Sequence, residues 1–179
     1  MRVVGGSARG RRLQAPRGRS VRPTSDRARE AIFNMLESRG GLQGRSVVDL
    51  FAGTGAMGIE ALSRGAASAT FVERDGEALR ALRANLASLG LEGDVVPGDA
   101  VAYAARAAPV DVAFVDPPYD FDGWPELLDG LQAGLAVLES DRELAVGDGW
   151  EVVRVKRYGG TVVTLAQPTS AHPTTKAGA

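Results

Sequence analysis

From Ser46 onward the chain alternates short apolar runs with segments of helical period, and this alternation restricts the fold more than any other feature. Residues 46–51, 69–73, 94–96, 110–115 and 135–139 are strand-like and apolar, whereas 56–64, 75–89, 100–107 and 124–132 carry helical spacing. The spacing is clearest where Leu79, Leu82, Leu86 and Leu89 share one face and Gly90 stands just past the end. Strands that alternate with helices predict a parallel, doubly wound sheet, because parallel neighbours need a crossover between them. The last two strand-like runs, 150–157 and 161–166, break this rule, since only Tyr158-Gly159-Gly160 separates them. They predict an antiparallel hairpin. The expected fold is α/β, a mostly parallel seven-stranded sheet ending in an antiparallel C-terminal hairpin.

The two ends of the chain read differently. Arg2-Val3-Val4 and Arg12-Leu13 are short strand candidates around Gly5-Gly6-Ser7 and Gly10, so a small N-terminal hairpin with an extended tail is expected over residues 1–23. Pro23 then precedes Thr24-Ser25, a good N-cap pair. Ala28, Ala31, Ile32, Met35 and Leu36 predict an amphipathic helix over 25–38, closed by Gly40-Gly41. Residues 167–179 are polar and rich in Pro and Thr, and are expected to be disordered. This divides the chain into a basic arm (1–23), a main domain (24–166) and a tail (167–179).

Composition removes several function classes. A chain of 179 residues suits one domain with a full core. It has no cysteine, which excludes disulfides, thiolate metal sites and a cysteine nucleophile. No metal site is expected. The N-terminus lacks an apolar signal-peptide core and no apolar run has membrane-spanning length, so a cytoplasmic protein with no membrane partner is expected, as a monomer. The net charge of -1 conceals an asymmetry, because residues 1–29 hold nine arginines and one acid, Asp26. That segment is +8 and the remainder -9. A basic arm on an acidic body points to a polyanionic partner.

Two segments carry chemistry. Gly53-x-Gly55-x-x-Gly58 lies between a strand and a helix and fits the dinucleotide pattern, with Glu73 at the end of the next strand to accept from ribose hydroxyls. Two details favour another ligand. Asp49 precedes the first glycine, where a buried carboxylate repels a pyrophosphate but pairs with an ammonium group. Asp99, after the third strand, can accept from an adenine amino group. S-adenosylmethionine has an amino-acid head and no phosphate, and three successive strand-end acids form a polar rim suited to it. Each acid taken singly also reads as a helix N-cap.

The second segment, Asp116-Pro117-Pro118-Tyr119, ends the fourth strand. An exocyclic NH2 on a base is a poor nucleophile because its lone pair is delocalised into the ring. The Asp116 carboxylate and the Pro117 carbonyl can accept its N–H groups and draw the lone pair outward. The prolines hold those acceptors still, and Tyr119 can stack on the base. Alone, the tetrapeptide reads equally as a tight turn. This chemistry serves guanine N2 and adenine N6 alike.

The chain resembles the class I S-adenosylmethionine-dependent methyltransferases, which have a Rossmann-like fold, and among them the RsmD family of bacterial 16S rRNA guanine-N2 methyltransferases. The resemblance rests on Arg2-Val3-Val4-Gly5-Gly6, on the stretch from Val21 to Phe33, on Asp49–Gly55, on Ala61–Ala66, on Phe71-Val72-Glu73 and on Asp116–Tyr119. It implies that Asp49, Phe51, Ala52, Gly53, Thr54, Gly55, Glu73, Arg74, Asp99 and Ala100 bind S-adenosylmethionine, leaving S-adenosylhomocysteine after reaction. It implies that Asp116, Pro117, Pro118 and Tyr119 are catalytic, and that Arg9, Arg11, Arg12, Arg22 and Arg27 bind 16S rRNA in an assembling small ribosomal subunit. An adenine-N6 methyltransferase, a non-catalytic RNA-binding assembly protein and an NAD-dependent oxidoreductase are the competing readings. The connection between Trp124 and Leu135 departs from the family by its shortness.

Overall fold

A computed structural model describes residues 1–15 and 26–169. The elements in chain order are α1 (Asp26–Glu37), β1 (Ser46–Leu50), α2 (Ala56–Ser63), β2 (Ser68–Glu73), α3 (Gly76–Leu89), β3 (Asp94–Pro97), α4 (Ala100–Ala104), β4 (Val110–Val115), α5 (Trp124–Gly130), β5 (Ala133–Ser140), β6 (Trp150–Tyr158) and β7 (Thr161–Pro168). They build one seven-stranded sheet in the order β3-β2-β1-β4-β5-β7-β6. The first five strands are parallel, whereas β7 runs antiparallel to both β5 and β6. The expected topology is therefore the observed one.

β1 is central and buried on both faces, which explains its nearly unbroken apolar run. Successive residues serve opposite layers. Val47, Phe71, Val112 and Phe114 pack with Ile32 and Phe33 of α1 and Leu82 of α3. Val48, Leu50, Val72 and Ala113 pack with Leu127 and Leu128 of α5. The period of two along each strand thus supplies two cores from one sheet. α3 is framed as its sequence suggests. Asp75 accepts from the Glu77 and Ala78 amides at 3.1 and 2.9 Å, and Gly90 closes the helix in the left-handed region at φ 64°.

Several boundaries differ from the sequence reading. β5 starts at Ala133, not Leu135, and α5 ends at Gly130 instead of running to 132. Gln132-Ala133-Gly134 resembles a loop in sequence because its residues are small or polar. Packing explains them. A Cβ on Gly134 would stand 3.1 Å from the Asp111 carbonyl oxygen, and one on Gly130 would stand 3.0 Å from the Ala105 Cα. α4 stops at Ala104 rather than 107, and the first strand stops at Leu50 because Phe51 takes a positive φ of 62°. β7 extends to Pro168, so Gln167 and Pro168 pair with Glu151 and Trp150 and do not belong to a loose tail. The rest of that tail beyond Thr169 lies outside the described residues, as does the Thr24-Ser25 cap.

The N-terminal hairpin is present as a bridge between Arg2 and Arg12. The Val3 amide donates to Arg11 (3.0 Å), the Gly10 amide to Val3 (2.8 Å) and the Leu13 amide to Met1 (3.1 Å). It is no free arm, since Val3, Ala8 and Leu13 are buried in the core. Glu60 of α2, fully buried, accepts the Val4 amide on Oε2 and the Gly5 amide on Oε1, each at 2.7 Å. It also accepts Arg64 Nε at 2.8 Å and faces Arg29 Nε at 3.7 Å. Arg29, equally buried, donates to the Arg2 carbonyl and to Asp26. Ser63 adds three tethers, accepting the Ala8 amide at 2.9 Å, donating to the Gly5 carbonyl at 2.6 Å and accepting the Ser7 amide on its own carbonyl at 2.7 Å. The glycine pair is required by this closeness. A Cβ on Gly6, whose φ is +74°, would lie 1.8 Å from the Ser63 carbonyl oxygen.

Removing the Glu60 charge leaves two guanidinium groups without their shared carboxylate. Glu60→Gln is expected to cost about 3–5 kcal/mol of unfolding free energy, measured by urea denaturation, and to expose residues 1–15 to protease.

Candidate functional site

The parallel strands end along one edge of the sheet, and the candidate residues collect there. β1 lies between β2 and β4, so the ends of these three strands carry Asp49, Glu73 and Asp116 side by side. Asp49 is buried, and its Oδ2 accepts the Gly58 amide at 2.9 Å. Burial pushes its carboxyl well above the ordinary 3.8, the Gly58 hydrogen bond opposes that shift, and the nearby charges of Asp116 and Glu73 add to it. A buried acid facing two others is poised for a cation.

The loop after β1 turns on Phe51 and Gly53, with φ 62° and 56°, and enters α2 through Gly55 at φ 81°. The three motif glycines do different jobs. A Cβ on Gly53 would meet nothing nearer than 3.9 Å, so this residue turns the chain and leaves open space beside it. A Cβ on Gly55 would lie 2.3 Å from Leu82 Cδ1, and one on Gly58 would lie 2.3 Å from Phe71 Cε1. Those two are glycine so that α2 can sit against α3 and β2. Helix packing thus accounts for glycine at 55 and 58, whereas no neighbour requires it at 53; Gly53 and Gly55 both remain candidates for the cofactor loop.

Glu73 holds the loop in shape. Its Oε2 accepts the Gly53 amide at 2.8 Å, and its Oε1 accepts the Arg74 and Asp75 amides, each at 2.8 Å. A carboxylate has about four acceptor positions, so it can still receive a ligand hydroxyl. Asp99 caps α4 through the Ala102 amide at 3.0 Å and stands 3.9 Å from Arg74 Nη1. It is thus both a cap and an exposed acid on the rim, with Ala100 buried behind it. Ala52 and Thr54 are buried within the loop. Asn85 of α3, fully buried, braces the loop from below. Its Nδ2 donates to the Thr54 and Gln14 carbonyls, each at 3.1 Å, and its Oδ1 accepts the Gln14 amide at 2.8 Å. This one amide ties the loop to the N-terminal hairpin. Sequence alone does not reveal this tie, because an Asn on the apolar face of a helix gives no sign of its partners.

The Asp116–Tyr119 segment leaves β4 beside this loop. Pro117 is buried, whereas Pro118 and Tyr119 are exposed. The Phe121 amide donates back to the Pro118 carbonyl at 2.9 Å, closing a turn. The Phe121 ring then meets Phe51 edge-on at 5.2 Å and Trp124 at 5.5 Å. Phe121 and Trp124 were absent from the expected site, yet they join its two halves. Beyond the prolines lies a cleft lined by Tyr119, Trp124, Glu139, Ser140 and Arg142. The Tyr119 hydroxyl lies 3.2 Å from Thr161 Oγ1 at the start of β7.

The arginines assigned to RNA are placed on the surface. Arg9, Arg11 and Arg12 are exposed on the hairpin and Arg27 is exposed in the first turn of α1. Arg11 Nη2 donates to the Ser88 carbonyl near the end of α3 at 2.6 Å. Arg22 lies outside the described residues. Among the described residues no cluster of metal-ligating side chains occurs, and no helix is long and apolar enough to cross a membrane.

The family described as conserved hypothetical protein 95 matches residues 1–167. The chain belongs to that family, the RsmD family whose motifs it carries. YlbH of Bacillus subtilis (strain 168), named as a candidate rRNA methyltransferase, is 39% identical over 182 aligned positions, gaps included, that cover 92% of this chain and 97% of that one. Ribosomal RNA small subunit methyltransferase D of Escherichia coli (strain K12) is 42% identical over 121 residues, 66% of this chain and 60% of that one. The structure of yhhF from Escherichia coli, a candidate methyltransferase, superimposes with a TM-score of 0.83 at 36% identity, over 94% of this chain and 97% of that one. The RsmD-family fold of this chain is accordingly that of the class I methyltransferases.

The raised carboxyl of Asp49 has a definite sign for stability. Its charged form is disfavoured in the folded chain, so stability falls as pH rises from the ordinary 3.8 to the raised folded value. Asp49→Asn lacks this penalty. It is expected to melt a few degrees higher than the parent at neutral pH without ligand, as read by calorimetry.

Proposed function

We propose that this RsmD-family chain transfers a methyl group from S-adenosylmethionine to the exocyclic N2 of a guanine in 16S rRNA of the small ribosomal subunit. One observation carries the reading: the buried carboxylate of Asp49 beside Asp116 and Glu73, at the edge where the Gly53 loop leaves open space. The relative named for small-subunit rRNA methylation supports the substrate class.

The residues fit the donor. Its ammonium group would offset the unfavourable charge of Asp49, a ribose hydroxyl would donate to Glu73, and its adenine amino group would face Asp99. Phe51, Ala52, Thr54, Arg74 and Ala100 would form the walls, with Gly53 letting backbone approach closely. When bound, S-adenosylmethionine supplies an electrophilic methyl on a sulfonium whose departure leaves a neutral thioether. The chain's own residues prepare the acceptor. Asp116 and the Pro117 carbonyl would accept the two N–H bonds of the exocyclic amine, so that its lone pair points away from the ring. The nitrogen gains a carbon and then loses a proton, for which Asp116 is the adjacent base. Pro117 and Pro118 hold these acceptors rigid, and Tyr119 offers a ring face on which the base can stack. Alignment is the main contribution to rate.

The adenine-N6 alternative rests on the same tetrapeptide chemistry, and the guanine reading rests on the family. Mass analysis of nucleosides from reconstituted small subunits treated with the protein is expected to reveal N2-methylguanosine. N6-methyladenosine in its place would select the alternative.

Asp116→Ala is expected to bind S-adenosylmethionine like the parent in calorimetry and to lose methyl transfer by about 10²–10⁴-fold. Neutralising Arg9 and Arg12 is expected to weaken RNA binding and to flatten its dependence on salt, read from titrations at several ionic strengths.

A further inference from the structure

β6 ends the sheet, and its residues are exposed on both faces over most of its length. Arg154, Lys156 and Arg157 are all exposed, in a chain whose charge outside residues 1–29 is -9. Alternation along the strand puts Arg154 and Lys156 on one face, roughly 7 Å apart, and Arg157 on the other. A sheet-edge strand also presents unpaired backbone amides along its outer side.

The strand's direction makes this cluster relevant to the site. Tyr158 pairs with Thr161 and Arg157 with Val162, so the basic end of β6 reaches the edge at which the parallel strands terminate. Thr161 is the residue whose hydroxyl meets that of Tyr119. Strand neighbours lie about 4.8 Å apart. The basic cluster therefore begins one strand away from the contact that orients the candidate stacking ring.

We infer that the β6–β7 hairpin is a second RNA-binding surface, in which Arg154, Lys156 and Arg157 hold phosphates of the strand that delivers the target base to Tyr119. This inference rests on the reading of the site as an RNA methyltransferase. A bare positive cluster on an edge strand also protects against edge-to-edge pairing, and the bulge between Val152 and Arg154 serves the same end. Two features go beyond protection. All three charges in residues 154–157 have one sign, where interspersed charges of either sign would suffice, and their end of the strand adjoins the site. Phosphates at this hairpin and at the N-terminal hairpin would hold the RNA at two points, with the candidate site reached from one of them.

The test uses the full chain and small-subunit rRNA, measuring RNA affinity against salt, S-adenosylmethionine affinity and methyl transfer. The Arg154→Ala, Lys156→Ala, Arg157→Ala triple variant is expected to bind RNA about tenfold or more weakly at low salt, with a salt slope smaller by about 2. Its S-adenosylmethionine affinity should be unchanged. Arg154→Lys with Arg157→Lys is expected to restore most of the RNA affinity. An alanine variant with parental RNA affinity and slope overturns the inference, and one that also self-associates assigns the charges to edge protection. A parent protein that binds S-adenosylmethionine but neither binds nor methylates RNA overturns the functional reading itself. Thr161→Val tests the link to Tyr119 separately: a lower methylation rate at unchanged RNA affinity is expected, and an unchanged rate removes Thr161 from the inference.

Discussion

The Glu60 carboxylate is the contact on which the arrangement depends. It is buried with two backbone amides and two guanidinium groups around it, and it converts an arginine-rich N-terminus into part of the core. Removing charges from water is costly, and Arg29 Nε and Nη1 lack hydrogen-bond partners among the described residues. The arrangement holds because one carboxylate satisfies several donors at once, and because Ser63 adds three further hydrogen bonds beside it. Arg64 is shared between Glu60 and the face of Phe33, 5.0 Å from the ring centroid, so the polar knot is joined directly to the apolar core.

α2 transmits this anchorage. The helix has eight residues, about 12 Å of length. Its first turn receives the Gly53 loop and donates the Gly58 amide to Asp49, whereas its last turn carries Glu60 and Ser63 and its C-cap is Arg64. Asn85 makes a second, independent connection by holding Thr54 and Gln14 with one side chain. The hairpin and the loop therefore cannot shift separately without breaking buried hydrogen bonds. A polyanion seated on the hairpin would consequently be held in fixed relation to the candidate cofactor loop.

The acids at the sheet edge invert the usual logic of a folded chain. Asp49 is held where its charge is unfavourable, and its neighbours make it more so. That is a cost to the free protein which a cationic ligand would relieve, so the expense of folding the site is also its affinity. The parallel topology is responsible: strand ends converge on one edge, and the acids at the ends of β1, β2 and β4 are brought together although they are far apart in sequence.

Much of this was legible in the residues. Period two against period 3.6 determined which segments pair and which cross over, and Tyr158-Gly159-Gly160 marked the antiparallel finish. Asp49, Glu73 and Asp116 were identifiable as strand-end acids, and although each taken singly also reads as a cap or a turn, their recurrence at successive strand ends pointed to a ligand. Other features depended on distance alone. That Gly55 and Gly58 also make room for Leu82 and Phe71 is not visible in the glycine pattern, and Gly134 resembles a loop but lies in a strand. The partners of Glu60 and Asn85, the Phe121 contact that joins the two halves of the site, and the Thr161 hydroxyl beside Tyr119 link residues tens of positions apart. The sequence by itself determined local conformation and the chemistry at each strand end, because backbone preference and hydrophobic period act over a few neighbours. Only the tertiary structure decided which of those groups meet, because close packing and buried hydrogen bonding are set by where the chain returns in space.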